Sequence, residues 1–190
     1  MRGPHASSWS FGRRLRMGLM GFLLAAPIAA ATDAGAQILP FTPLQLSITP
    51  GAQILPQDVP VWGVSLNVLY GTQQEVKGLD LGLCNEVSRV LYGVGLGIVN
   101  VASENAIGLH AGMGNTVGGE FTGLQLGTAN RVDGDLKGLQ IGVANSAKGG
   151  VGVQLGLLND ATSMKGVQLG LLNFNKSGPL SFLPFFNFNF

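Results

Sequence analysis

Eight residues, "GVQLGLLN", stand at Gly152–Asn159 and again at Gly166–Asn173, with only "DATSMK" between them. A chain that repeats itself at so short a period folds each copy into the same unit and buries it against its neighbours. Aligned on this octad, earlier units read "GLQIGVAN" (Gly138–Asn145), "GLQLGTAN" (Gly123–Asn130), "GLHAGMGN" (Gly108–Asn115), "GVGLGIVN" (Gly93–Asn100), "GLDLGLCN" (Gly78–Asn85) and a degenerate "GVSLNVLY" (Gly63–Tyr70). "LSFLPFFN" (Leu180–Asn187) keeps the spacing at the far end and loses both glycines. The nine units start 15, 15, 15, 15, 15, 14, 14 and 14 residues apart.

Within the octad, apolar residues hold positions two, four and six, while Gly, Gln and Gly hold one, three and five. Alternation with period two marks a strand with one apolar face. Two glycines per unit argue against helix, at about 1 kcal/mol each in a helix interior. The segments between octads are polar and turn-prone. They still carry apolar residues at regular places (Val117 and Phe121, Val132 and Leu136, Ala147 and Val151), which predicts a second, poorer wall of a core.

One strand and one turn per repeat can stack as a β-solenoid or close as an antiparallel outer-membrane barrel of 8–10 strands. Asn ends eight of the nine units: Asn85, Asn100, Asn115, Asn130, Asn145, Asn159, Asn173 and Asn187. In a solenoid these residues form one hydrogen-bonded ladder, whereas in a barrel they alternate between opposite rims. An unpartnered buried amide costs roughly 1–3 kcal/mol, so the ladder makes Asn at every rung self-consistent. The reading is therefore all-β, a 14–15-residue-repeat β-solenoid. Its Gln row (Gln125, Gln140, Gln154, Gln168) is expected to face outward and, with the turns, to supply a binding surface. The barrel keeps one argument, the tail "FLPFFNFNF", which ends on alternating aromatics as the last strand of such barrels does. If the octad register continued, however, Phe182 and Phe186 would occupy the Gln and small-residue slots.

Outside the repeat, Arg13, Arg14 and Arg16 precede an apolar run from Met17 to Ile28 and then small residues. This is the layout of a secretory signal over residues 1–36, cleaved after Ala31 or Ala36. Residues 37–60, with prolines at 40, 43, 50, 56 and 60, read as a leader or cap that blunts the first edge. Residues 61–179 form the repeat domain, and 180–190 a Phe-rich terminal repeat or cap. From Gln37 onward seven basic and nine acidic residues leave a charge near −2 (7 − 9). There is no clustered basic surface for nucleic acid. Cys84 is the only cysteine and reads as a buried, inert thiol.

The units resemble a family of exported bacterial surface-repeat proteins built of G-[LV]-Q-[LI]-G-L-x-N blocks with an "FLP…NF.F" close. The resemblance covers Trp62 to Phe190 and is weaker where Asp80, Gly95 and His110 stand in the Gln slot. It implies a surface or envelope location. The shorter pattern Q-x-G-x-x-N is loosely similar to the repeats of curlin amyloid subunits, and apolar strands bearing Gln and Asn can template cross-β stacking.

Chemistry is sparse. His110 is a lone histidine after the signal, Asp133 and Asp135 flank a turn glycine, and no serine sits beside a usable base. No enzyme, cofactor or metal site is expected. The expected role is that of an exported, non-enzymatic envelope or surface protein with a structural or interaction function. Outer-membrane association through the Phe-rich C-terminus, and self-association, are its expected partnerships. The alternative role is that of a small membrane barrel serving as pore or anchor.

Overall fold

A computed structural model describes residues 40–190, so the signal read over residues 1–36 lies outside the described residues. Eleven strands follow in chain order and no helix is present among the described residues. They are β1 (Thr42–Thr49), β2 (Ala52–Gln53), β3 (Val61–Leu96), β4 (Val99–Ala102), β5 (Asn105–Ala111) and β6 (Gly114–Val117). β7 (Phe121–Leu126), β8 (Ala129–Ile141), β9 (Ala144–Leu155), β10 (Leu158–Asn175) and β11 (Phe182–Asn189) complete the chain.

The repeat units pair in parallel and in register. Gly93 lies beside Gly108, Gly108 beside Gly123, and Gly123 beside Gly138. Asn85 lies beside Asn100, Asn100 beside Asn115, and so on to Asn159. Each repeat is thus one coil, and the coils climb a single axis as a β-solenoid. Parallel, in-register neighbours exclude the antiparallel barrel, in which successive asparagines would point to opposite rims. β3 is 36 residues long because backbone pairing to the next coil continues around the corners.

Except at Gly152, the first glycine of the octads from Gly63 to Gly166 is required by its backbone. Gly108 and Gly123 have φ of 131° and 138°, in the region that side-chain-bearing residues rarely enter. A Cβ at Gly123 would also run into the carbonyl of Gly108 in the coil before.

Both ends are closed. β1 stacks in parallel on the first coil, and β2 turns back antiparallel to it. At the other end β11 runs antiparallel to β10, which corrects its reading as a ninth coil. The reversal also changes which residues face out: Phe186 lies beside Leu169 and Phe188 beside Val167. Both phenylalanines therefore occupy Leu-type slots, and the register conflict seen in the sequence disappears. Pro184 cannot donate to a ladder, and Phe185, at φ 68°, marks a register break in the pairing. Together they blunt the outer edge.

The apolar core comes from the connecting segments. Two columns supply it, Val87–Ala102–Val117–Val132–Ala147–Ala161 and Val61–Val76–Leu91–Ala106–Phe121–Leu136, with Met164 closing the second. These positions were expected to form only a secondary wall. Val151 corrects the pattern in detail: it is exposed, and Gly150 takes the place beside Leu136.

Candidate functional site

The octad strands turn their polar residues in and their apolar residues out. Gln125, Gln140, Gln154 and Gln168 are at most 1 % exposed, which corrects the expectation of an outward Gln row. Stacking explains the inversion. Parallel coils lie about 4.8 Å apart, so an amide on one coil reaches the amide of the next. Gln140 Nε2 donates to Gln125 Oε1 at 2.7 Å, Gln154 to Gln140 at 2.8 Å, and Gln168 to Gln154 at 2.7 Å. A column of such bonds removes most of the cost of burying a polar group.

The Asn ladder is built the same way. Asn85, Asn100, Asn115, Asn130, Asn145 and Asn159 each donate to the Asn of the next coil at 2.8–2.9 Å. The same Nδ2 atoms also donate to the carbonyls of Leu96, Ala111, Leu126, Ile141, Leu155 and Leu169. Each carbonyl immediately precedes the second octad glycine of the next coil, so the ladder braces a row of corners. Asn173 ends the ladder by donating to Leu183 O across β11. Asn187 stays outside the ladder. It lies beside Gln168 because β11 runs backwards, and its Nδ2 reaches Leu180 O at 3.4 Å. At the first coil Asn67, which the octad alignment missed, supplies the top rung by donating to Asn85 Oδ1.

Between Gln45 and Gln125 four residues, Ser65, Asp80, Gly95 and His110, stand in the Gln slot. Asp80 is fully buried and accepts from Asn67 Nδ2 at 2.7 Å, while its Oδ2 has no partner. Burial pushes its carboxyl up to about 6. Gly95 leaves the next rung without a side chain. His110 follows, 1 % exposed, its ring tilted against Phe121 at 5.3 Å and both ring nitrogens unpartnered. Burial pushes it down to about 4, so the imidazole is neutral at pH 7. One rung, that of Gly95, separates Asp80 from His110 in the column, and among the described residues no three His, Cys, Asp or Glu side chains gather as a metal-binding group. Asp133 is ion-paired to Arg131 at 2.6 Å on the opposite, connector side.

With the amides inside, the apolar octad residues form the outer wall. Position two runs from Leu44 on β1 through Leu124 to Phe188 on β11, and position four from Leu46 through Leu126 to Phe186. Around the corner, position six continues with Leu83, Ile98, Met113, Leu157 and Leu171, 45–63 % exposed. Across the eight octads from Gly63 to Asn173, Asp80 and His110 are the only Asp, Glu, Lys, Arg or His residues, and both are buried. Every exposed charge of the coils sits in a connecting segment. The result is a solenoid with one charge-free apolar flank and one charged back.

At position seven the side chains shrink to Gly114, Ala129 and Ala144, and a groove of about 650 Å³ opens over these coils between Arg131, Asp160 and Phe174. Cys84 shares this row, half-buried on the flank, which corrects its reading as a buried thiol. The flank was missed because exposed apolar rows contradict the ordinary inside–outside rule. The signal that would have found it was the absence of any exposed charge in eight successive octads. No family model, curated protein or solved structure matches the chain.

Proposed function

We propose that the protein is an exported, non-enzymatic envelope or surface repeat protein that works through contact, with the apolar flank as its contact surface. The observation that carries this reading is the flank itself. Parallel sheets are normally covered on both faces, and apolar patches beyond a few hundred Å² mark interaction sites. Here one face of a parallel sheet is covered by the protein's own core, and the other is apolar and open. The charged back suits the solvent side of such a contact. Export is supported by the sequence before Gln37, with its arginines, apolar run and small residues.

The experiment is cell fractionation of an epitope-tagged copy in a Gram-negative host, with protease added to intact cells. Recovery in the envelope or on the surface, with the N-terminus beginning near Gln37 by mass spectrometry, is the expected result. Recovery in the cytoplasm with residues 1–36 intact would overturn it.

A further inference from the structure

We infer that the surface covering the flank is a second copy of this chain, packed sheet to sheet. The inference rests on the reading of the flank as the contact surface and names its partner.

Area is the first argument. Ten strands, from β1 through the coils to β11, spaced about 4.8 Å apart span about 43 Å, and the five residues from the one before the octad, a rim row that holds Lys77, Lys137 and Lys165, through position four span about 16 Å. The product is about 700 Å² per copy, close to the roughly 800 Å² per partner of a stable interface. The second argument is period. The flank consists of straight rows of Leu, Val and Ile repeating once per coil, and a second copy presents rows of the same spacing. Such rows interdigitate as facing sheets do, at about 10 Å.

Charge is the third. Positions two and four carry no charged residue on any of these strands, so no unpaired charge is desolvated. The rim, by contrast, carries both signs: Lys77 beside Glu75 at 2.7 Å and Lys137 beside Glu120 at 3.0 Å. A rim of mixed sign suits a second copy better than an anionic lipid surface, as does the net negative charge after Gln37. The fourth argument is the closed ends. β2 at one end, and β11 with Pro184 and Phe185 at the other, obstruct stacking along the axis, so association runs sideways.

Sedimentation equilibrium on the protein as processed and recovered from an exporting host tests the inference. The wild type should be a dimer. Leu96→Lys with Ile141→Lys adds two cations at exposed flank positions three coils apart. This variant should keep the wild-type circular dichroism and raise the dissociation constant at least roughly a hundredfold, the effect of burying unpaired charges. Ser103→Lys with Thr162→Lys adds the same charge on the connectors and should leave the dimer intact. A flank variant that stays dimeric would overturn the inference. So would a monomeric wild type. If that monomer floats with phosphatidylethanolamine–phosphatidylglycerol vesicles, the flank contacts lipid and the contact-surface reading survives. If it neither dimerises nor binds vesicles, both readings fall.

Discussion

Asn145 illustrates how each rung of the ladder serves two purposes. Its Nδ2 donates to Asn159 Oδ1 and to Leu155 O, and its Oδ1 accepts from Asn130. Asn145→Ala strips the donor from two buried acceptors and should cost about 1–3 kcal/mol in urea unfolding. His110→Gln should be neutral or stabilising, because Gln in that slot meets the Nε2 of Gln125, which lacks a partner. Asp80 and His110 also give opposite pH dependences. The Asp80 carboxyl rises from 3.8 to about 6 on folding, so the folded state holds the extra proton and stability falls as pH rises through that window. The His110 imidazole drops from 6.5 to about 4, so its contribution is complete above pH 6.5 and is lost as pH falls towards 4. In the wild type the two slopes oppose each other. In thermal melts between pH 4 and 6.5 the wild-type slope should therefore lie between those of the two single variants. Relative to the wild type, stability should fall more with rising pH for His110→Gln and rise more for Asp80→Asn. Parallel slopes in all three proteins would contradict the assignment.

At the scale of the element, one coil is held by a glycine that lets backbones approach and an asparagine that braces a corner. Gly123→Ala places a Cβ against the Gly108 carbonyl at φ 138°. It should cost well over the roughly 1 kcal/mol by which the same change helps at a position whose backbone suits alanine. The closing strand works differently. β11 covers the last coil while its own edge is blunted, so truncation after Pro179 should lower the melting midpoint and open the coil edge to strand addition. Thioflavin fluorescence that grows with time in the truncated protein, and stays flat in the whole one, checks this.

As a whole molecule the solenoid is nearly one-dimensional, each coil touching only its neighbours. Its amides should therefore exchange in order of distance from the ends. Hydrogen exchange should be slowest between Gly123 and Asn159, where coils pair with neighbours on both sides, and fastest in β2 and the start of β11. Uniform protection along the axis would show that the coils unfold as one unit. The lengthwise split into an apolar flank and a charged back also exists only at this scale, because a single coil shows a mere handful of exposed leucines.

The sequence by itself determined the period and the all-β class, and it favoured stacking of like over like, which the parallel pairing of the coils then decided. A recurring Asn is self-consistent only where like residues lie over like, and that condition needs no coordinates. It also marked Val132, Leu136 and Phe121 as core positions, since they recur in otherwise polar segments. Which face of the octad points inward was settled only by the tertiary structure. Alternation reveals two faces without ranking them, and the usual ranking puts Leu inside and Gln outside. Here the amides of Gln125 through Gln168 find their partners in adjacent coils, so their burial costs little once the stack exists. The leucines are left on the surface, and the flank they form is the feature from which the protein's contacts are inferred.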